Sequence, residues 1–370
     1  MKKGIKALIL IVVLAALLRA AFLMEKPLSL DEPHTIKYIE RPFGEMLNYI
    51  TSEYRMPAYY LPAWWLFPSI GIPGLKIISM VAGILSVIGM YFLGRNLFGE
   101  KGGLVSAFIL AIHPIHIGYS QYVREYSLLF LFTILSMIFF VRVLRQGPSR
   151  SRDWILLALA NAAMFLTHFF SILFIVSQAV IVLIWHRKVL IKYILHGILV
   201  GLISLPWLVF MFSNVELLGI GNFVKTFDNN PLRMGYAVYK FVVGANVSGL
   251  MNWFPPLLLG AVFLSAVLIL AFRHCILRDR ENGKVILTYF IVPNILLFII
   301  SVLTKESLFI FRYFSPALVA YVLILSGFLA NLKGKRWIGL AVGVSIVYLA
   351  LDAYYFSVIG LPDWPAHFGL

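Results

Sequence analysis

The chain has 370 residues, of which 61% are hydrophobic and 13% charged, and its formal net charge is +15. A soluble core of this length needs far less apolar surface, so the composition excludes a soluble globular protein and predicts a multi-pass membrane protein. The single cysteine, Cys275, excludes a disulfide framework within the chain and a thiolate metal cluster.

Apolar runs close to the length of a bilayer crossing predict an all-α polytopic fold of about eleven transmembrane helices. We expect a single unit over 1–370 with no separate soluble domain, because no internal repeat or low-complexity tract is visible. The run at 7–24 is long for the core of a signal peptide and lacks a small-residue cleavage site before Glu25, so we expect it to be retained. The predicted spans are 7–24, 72–94, 103–118, 126–144, 154–167, 170–186, 194–213, 250–272, 285–303, 314–331 and 338–357.

Basic residues are concentrated in alternate loops between these spans. Together with Arg142, those loops hold 19 of the 31 Lys and Arg residues but only four of the 16 acids. By the positive-inside rule they face the cytoplasm, which predicts a cytoplasmic N-terminus and places the long loops 25–71 and 214–249 outside. Topology and attraction to anionic lipid explain the positive charge, so nucleic acid is not an expected partner.

The first outer loop carries the catalytic candidates. Asp31 and Glu32 follow the first span by seven residues, and apolar residues at helical spacing over 33–50 predict an amphipathic helix on the membrane, broken near Pro42. Low dielectric near lipid raises the pKa of a carboxylate toward neutrality, which suits a general base. The alternative is a solvated helix start, since acids beside a proline favour a helix N-terminus. His34 is grouped with this pair as support for the substrate or the loop.

The same loop ends in TSEYRMPAYYLPAWW, which begins at Thr51. Its aromatic residues are typical of an interfacial belt. Glu53 and Arg55 differ from them, because a charge pair beside such an apolar run should have a partner or a ligand. We therefore group both residues with the acceptor or with loop support.

The segment 113–127 joins the third and fourth spans on the predicted outer side. His113 and His116 have metal-ligand spacing if helical, but the intervening proline favours two interfacial histidines instead. Arg124 is expected to bind a phosphate, since guanidinium can hold one bidentately. The adjacent Glu125 is grouped with the substrate or loop residues.

Other polar residues lie at predicted helix ends. Lys305, Arg312 and Tyr313 surround the outer end of the tenth span. The two cations fit either a phosphate headgroup or interfacial anchoring, and Tyr313 is grouped with the substrate or loop residues. His168, between two short spans, is equally compatible with a capped helix break and with a substrate contact. Arg19 is expected to snorkel outward or to pair with an acid.

Together these motifs resemble the integral-membrane GT-C glycosyltransferases. The matching pieces extend over about residues 1–330 and comprise the acidic pair after the first span and the segments RMPAYYLPAWW, YFLGRNLFGEKGG, HPIHIGYSQYVREYSLLFLF, LTHFF and FRYFSPAL. They are most similar to the family 39-like branch, which includes protein O-mannosyltransferases, lipid A aminoarabinose transferases and lipopolysaccharide galacturonosyltransferases. The fold that this implies is a GT-C-like helical bundle.

The resemblance also implies a reaction. Such enzymes transfer a sugar, with inversion, from a polyprenyl-phosphate carrier to a hydroxyl of a lipid, glycan or protein on the outer face of the membrane. It implies that Asp31 is the catalytic base with Glu32 beside it. It further implies that Arg124 and Arg312 face the carrier phosphate, with Lys305 as an additional candidate.

Departures from the family pattern bear on a metal. Glu53 matches an acid that supports a metal or the acceptor in some relatives, but Arg55 and Met56 precede Pro57 where many relatives have histidine. Tyr126 stands where others have aspartate. No cofactor is therefore predicted, and a divalent metal stays an open alternative.

A transporter and a lipid flippase are the competing functions. A transporter predicts ionisable residues near the bilayer midplane and repeated halves. Here nearly all ionisable residues lie at predicted helix ends, and no repeat is visible. A flippase differs from an enzyme only in lacking turnover.

Overall fold

The computed structural model describes residues 2–29, 31–146, 151–214, 230, 232–244, 256–306 and 308–358. Most of the predicted loop 214–249 and the start of the predicted span 250–272 lie outside these residues. Within them the secondary structure is helical, without strands. The helices are α1 Lys2–Ala20, α2 Glu32–Ile39, α3 Phe43–Ser52, α4 Pro57–Ala111, α5 Pro114–Ser120, α6 Tyr126–Gln146, α7 Ser151–Thr167, α8 Ile172–Trp185, α9 Leu190–Asn214, α10 Leu232–Val243, α11 Pro256–Leu277, α12 Arg280–Thr304, α13 Phe311–Phe314, α14 Leu318–Asn331 and α15 Gly334–Val358.

The prediction of an all-α, multi-pass membrane protein is confirmed. Among the described residues, seven helices are long and apolar enough to cross a membrane. Each of the eleven predicted spans is helical where the chain is described, although the span 103–118 is divided between α4 and α5, and α7 and α8 have only 17 and 14 residues.

Two glycines divide α4 into three helical segments. Gly71 and Gly99 have φ values of 57° and 77° with extended ψ values, a conformation that side chains with a Cβ rarely adopt. The segment 72–98 contains the predicted span 72–94. The predicted span 103–118 is interrupted, because α4 ends at Ala111 and Pro114 starts a new helix.

The first outer loop folds as two short helices, as its apolar spacing predicts. Pro42 separates α2 from α3, and the buried residues Ile39, Met46 and Ile50 form one apolar cluster with the start of α4. The Trp64 indole donates a hydrogen bond of 2.9 Å to the carbonyl oxygen of Arg41. These contacts hold the end of α2 and the helix α3 against α4, and thereby fix the short helix at whose beginning the acidic pair lies.

The helical stretch 311–331 lies at the centre of the bundle. Its most apolar 18 residues are 89% buried, whereas the corresponding residues of the stretch that contains α9 are only 22% buried. The helix α1 packs on α4, α4 packs on α6, and α14 packs on α4 and α11. Apolar side chains on α9 and α11 are exposed, as expected for surfaces that face lipid.

Neutral polar side chains form a closed network between the helices of the bundle. The Gln178 amide donates to the Ser136 hydroxyl at 2.7 Å and to the Tyr289 hydroxyl at 2.5 Å. The Asn161 amide donates to the Gln178 carbonyl oxygen at 2.7 Å and lies 3.1 Å from His196 Nε2. Such hydrogen bonds hold membrane helices together without buried charge.

Two expectations about the helix ends are wrong. Arg19 is fully buried, donates to the carbonyl oxygen of Ala111 at 2.9 Å and contacts His116 Nδ1 at 2.6 Å. It neither snorkels nor comes within ion-pair distance of a described acid. Instead, carbonyl oxygens at the end of α4, which lack partners within the helix, accept hydrogen bonds from its N–H groups. His113 lies 2.9 Å from the carbonyl oxygen of Phe241, so neither histidine is interfacial.

Candidate active site

Asp31 occupies the N-cap position of α2, but its side chain does not cap the helix. Its Oδ2 accepts a hydrogen bond of 2.5 Å from Arg312 Nη1, and the two side chains are 28% and 30% exposed. Helix α13 places Arg312 at this point, 281 residues further along the chain. We call Asp31 and Arg312 the open pair, because both partners keep access to a ligand.

A second ion pair lies beside the first. Arg124 Nε donates to Glu125 Oε2 at 3.2 Å, and the two side chains are only 1% and 2% exposed. Arg124 Nη1 also donates to the backbone carbonyl oxygen of Asp31 at 2.9 Å. We call Arg124 and Glu125 the closed pair, since it is buried and holds the backbone of the catalytic candidate.

The charge of Glu125 is strongly favoured by its neighbours. Burial alone would raise its pKa, but the guanidinium groups of Arg124 and Arg55 outweigh burial and lower the pKa to about 2. Arg55 Nη1 lies 4.0 Å from Glu125 Oε1, and the Tyr60 hydroxyl donates to Glu125 Oε2 at 3.3 Å. Glu53, which is half exposed, lies 3.7 Å from Arg55. Glu125 is therefore an ionised anchor at neutral pH.

Glu32 is fully buried and accepts two backbone hydrogen bonds. Its carboxylate oxygens accept from the N–H groups of Ser29 and Val123, both at 2.7 Å. These bonds tie the segment before α2 to the segment before α6. Both oxygens thus have backbone partners, whereas the carboxylate of Asp31 is paired only through Oδ2 among the described contacts.

Two buried lysines strengthen the same connection. Lys26 donates to the carbonyl oxygen of Gln121 at 2.9 Å, and Lys76 donates to the carbonyl oxygens of Leu23 and Lys26 at 3.0 and 2.7 Å. Burial lowers the pKa of Lys26 to about 8. The sequence analysis did not select Lys76, although an ionisable residue inside a predicted span is itself a signal that a polar partner exists.

Aromatic rings line the side of the site towards α7 and α8. The His168 ring lies 5.4 Å from Tyr313 and 6.2 Å from Tyr126, and Tyr313 stacks on Phe170 at 4.8 Å. Burial lowers the pKa of His168 to about 4, so its imidazole is neutral. His168 Nδ1 and the Tyr126 hydroxyl are buried and have no hydrogen-bond partner among the described residues. We call these four residues the ring cluster.

Two predicted site residues lie apart from the residues around Asp31. His34 is exposed on α2, with its ring 6.5 Å from Tyr38, and Lys305 is exposed just after the end of α12. Neither makes a hydrogen bond or ion pair with Asp31 in the described part of the chain. The predicted residues that do converge are Asp31, Glu32, Glu53, Arg55, Arg124, Glu125, His168, Arg312 and Tyr313.

The residues present do not fit a resident metal ion. Within the described ranges, no group of three His, Cys, Asp or Glu side chains is close enough to hold one. Asp31 faces a guanidinium, Glu32 accepts two backbone N–H groups and Glu125 is surrounded by cations, so each carboxylate already has partners that a metal would have to displace.

Several site residues escaped the sequence analysis because they are aromatic. Tyr60, Tyr122 and Tyr126 contact the ion pairs or the acidic loop, and the Ser29 hydroxyl donates to the Tyr122 hydroxyl. In a membrane protein with 15% aromatic residues, such side chains cannot be told from an interfacial belt by composition. Their only signal is their position, since Tyr60 lies in the segment 51–65 and Tyr122 and Tyr126 lie in the segment 113–127.

Known proteins share this fold. Residues 64–210, less than half of the chain, match the family model described as dolichyl-phosphate-mannose-protein mannosyltransferase. The match confirms the predicted resemblance to this group of membrane glycosyltransferases over that part of the chain. It includes Arg124, Glu125 and His168 but neither partner of the open pair. A comparison with curated protein sequences found no significant match.

Solved structures match nearly the whole chain. ArnT from Cupriavidus metallidurans in the apo state has a TM-score of 0.62 at 12% identity, with 97% of this chain and 77% of ArnT covered. Its complex with undecaprenyl phosphate gives 0.61 at 14%, covering 95% and 69%. The oligosaccharyltransferase AglB from Archaeoglobus fulgidus, in complex with an inhibitory peptide and a dolichol-phosphate, gives 0.55 at 11%, covering 95% and 55%. At these identities the likeness shows the fold, and the predicted GT-C-like bundle is confirmed.

Proposed function

We propose that this protein is an inverting glycosyltransferase that moves a sugar from a polyprenyl-phosphate carrier to a hydroxyl acceptor on the outer face of the membrane. The observation that carries the proposal is the open pair, in which a partly exposed carboxylate and a guanidinium meet on a rigid, buried support. The carriers bound in the ArnT and AglB structures support a polyprenyl phosphate as the donor class.

The proposed reaction is a single displacement at the anomeric carbon of the sugar. Asp31 accepts the proton of the acceptor hydroxyl while the hydroxyl oxygen forms a bond to that carbon. The bond between the anomeric carbon and the phosphate oxygen breaks, and polyprenyl phosphate leaves with the electron pair. Attack from the face opposite the leaving group inverts the configuration.

Arg312 is the proposed ligand of the carrier phosphate. A guanidinium has five N–H donors, and the described contact with Asp31 uses one of them. A bound phosphate would share Arg312 with Asp31 and so weaken the hydrogen bond between Arg312 and the Asp31 carboxylate. Asp31 would then accept a proton more readily when the donor is present. The same cation stabilises the charge that develops on the leaving phosphate.

The sequence context of Arg124 indicates a phosphate ligand, but its contacts support a different role. Its Nε and Nη2 atoms contact Glu125, and its Nη1 donates to the carbonyl oxygen of Asp31. It is also buried, so we propose that it positions Asp31 rather than binding phosphate. Arg55, which is 23% exposed, is the proposed second cation for the phosphate, in place of Lys305.

The ring cluster is the proposed contact for the transferred sugar. Aromatic faces pack against the C–H groups of a sugar ring, and the two polar atoms without a partner, His168 Nδ1 and the Tyr126 hydroxyl, can hydrogen-bond its hydroxyl groups. Glu32 has the proposed part of holding the acidic loop, while Glu53 and His34 are proposed to lie at the edge where an acceptor approaches.

The proposal is tested by incubating the purified protein with several polyprenyl-phosphate sugars and a mixture of lipid, glycan and peptide acceptors. Release of polyprenyl phosphate together with acceptor-dependent sugar transfer is the expected result, and Asp31→Asn is the matched control. A flippase would move the labelled carrier between leaflets of a vesicle without cleaving it. Carrier movement without any release would therefore contradict the proposal.

A further inference from the structure

A second site candidate is a pocket at the opposite end of the bundle. Its volume is about 390 Å³, and it lies between the end of α11 and α14. The helical stretch 311–331 begins beside Asp31, and Phe328 of the pocket follows Arg312 by about four helical turns. This end belongs to the side whose loops are predicted to face the cytoplasm. The lining residues are Leu270, Arg273, His274, Leu277, Arg278 and Phe328.

The pocket has a cationic part and an apolar part. Arg273 and Arg278 supply two exposed guanidinium groups at the end of α11. Leu270 and Leu277 are 47% and 53% exposed, so the apolar part continues into the surface that faces lipid. A ligand with a negative head and a hydrocarbon body matches both parts.

A buried polar atom also lines this pocket. The His274 ring lies 5.9 Å from Phe328, and its Nε2 atom is buried with no hydrogen-bond partner among the described residues. The nearest acid in sequence, Asp279, accepts hydrogen bonds from the Asn282 amide at 3.0 and 3.1 Å. Neither Arg273 nor Arg278 forms an ion pair with an acid among the described residues, so both guanidinium groups can attract an anion from outside the protein.

We infer that this pocket binds an anionic phospholipid, with the phosphate against Arg273 and Arg278 and an acyl chain along Leu270 and Leu277. Basic pockets between membrane helices attract lipid headgroups, and guanidinium binds phosphate oxygens through paired N–H groups. The apolar half favours a lipid over free phosphate, because inorganic phosphate would leave the leucine side chains without a partner.

The test uses the full chain in bilayer nanodiscs made of phosphatidylcholine with a minor amount of phosphatidylglycerol. After mild detergent extraction, native mass spectrometry counts the lipids that stay bound. The double variant R273Q/R278Q is compared with R152Q/R187Q, which removes the same charge from exposed arginines of other loops on the same predicted side. R273K/R278K keeps the charge but not the paired N–H geometry.

We expect the native protein and R152Q/R187Q to retain phosphatidylglycerol selectively. The amount of phosphatidylglycerol bound to R273Q/R278Q should be lower by at least about tenfold. R273K/R278K should fall between them, and thermal unfolding confirms that each variant is folded. Equal retention by both glutamine variants, or equal retention of phosphatidylcholine, would overturn the inference. Displacement of the lipid by inorganic phosphate at comparable concentration would identify a free-phosphate site and overturn it as well. Glycosyl transfer is not part of this readout, so the result does not depend on the proposed function.

Discussion

The open pair and the closed pair each consist of a carboxylate and a guanidinium, yet they differ in how the chain builds them. Asp31 belongs to the open pair, and Arg124 of the closed pair donates to its backbone carbonyl oxygen. Arg124 and Glu125 are neighbours in sequence and are almost fully buried. Arg312 and Asp31 are separated by 281 residues and remain nearly one-third exposed. A buried pair keeps its partners, whereas a partly exposed pair can exchange one of them for a ligand.

The difference in burial predicts that the closed pair affects stability and that the open pair affects activity. Breaking a buried pair leaves an uncompensated charge in a medium of low dielectric and costs stability. Breaking a partly exposed pair costs little stability, because water replaces the lost partner. Substitutions in the closed pair should thus lower stability, and substitutions in the open pair should lower activity.

The largest expected effect is on turnover in Asp31→Asn. The amide keeps the size of the side chain but cannot accept the proton of the acceptor hydroxyl, so transfer should fall by about two to four orders of magnitude. Sugar transfer and the thermal unfolding midpoint are measured in parallel. Glu40→Gln, which changes an exposed acid at the end of α2, should leave both values unchanged. Turnover close to that of the native protein in Asp31→Asn would show that another residue is the base.

The closed pair should dominate stability. Glu125→Gln leaves Arg124 buried without a negative partner, which should lower the free energy of unfolding by about 3 kcal/mol. The folded-state pKa of Glu125, about 2, is below that of an unfolded glutamate, about 4.5. The stabilisation is therefore present above about pH 4.5 and is lost as pH falls towards 2.

An exposed ion pair at the junction of α2 and α3 provides the control for Glu125. Arg41 and Glu45 lie 3.2 Å apart with side chains 27% and 59% exposed, so Glu45→Gln should change stability by less than about 1 kcal/mol. Thermal unfolding in detergent between about pH 2 and about pH 7, a range that includes both pKa values of Glu125, measures both variants. Equal destabilisation by the two substitutions would remove the distinction between the pairs.

Arg312 should affect the donor more than it affects stability. Arg312→Lys keeps the charge but loses the paired N–H groups, so kcat/KM for the donor should fall by roughly tenfold, and Arg312→Gln should lower it further. Steady-state kinetics with varied carrier concentration separate donor KM from kcat. Lys37→Gln, an exposed cation on α2, is the matched control and should not change donor kinetics. Unchanged kinetics in both Arg312 variants would exclude this residue from the phosphate site.

A further expected effect is a pH dependence of stability from His168. Its folded-state pKa is about 4, against about 6.5 in the unfolded chain, so the unfolded state binds the proton first as pH falls. The folded state should then lose about 1–3 kcal/mol between pH 6.5 and pH 4. His168→Phe should remove this slope when unfolding is followed across the same range. A slope that persists in the variant would assign the titration to another group.

The local features of the acidic loop were predictable. Apolar spacing over 33–50 and Pro42 are enough to predict α2 and α3, because helix formation and its interruption by proline depend on neighbours in sequence. The position of Asp31 at the start of α2 follows from the same pattern. Its carboxylate could equally have capped that helix, and the sequence analysis left this alternative open.

The partners of the buried charges were not predictable in the same way. Arg19 ends among carbonyl groups of α4, and Arg124 is turned towards Glu125 and the backbone of Asp31 rather than towards an open site. A sequence identifies a buried cation as a group that must have a partner, but several partners satisfy that requirement equally well. The prediction for Arg19 is wrong for this reason. His113 and His116 are buried by helices from distant parts of the chain, which their spacing in the sequence does not indicate.

The sequence by itself determined that this chain is a helical membrane protein with an acidic segment after its first helix, because hydrophobic length and spacing are properties of consecutive residues. Only the tertiary structure decided that Arg312 meets Asp31, that Glu32 holds two backbone N–H groups and that Lys76 lies beneath the loop. Apart from the bond between Glu32 and the nearby Ser29, these contacts join residues that are far apart in the sequence. Their geometry depends on how α1, α4, α5 and α13 pack, and packing is set by the summed fit of many side chains rather than by any local pattern.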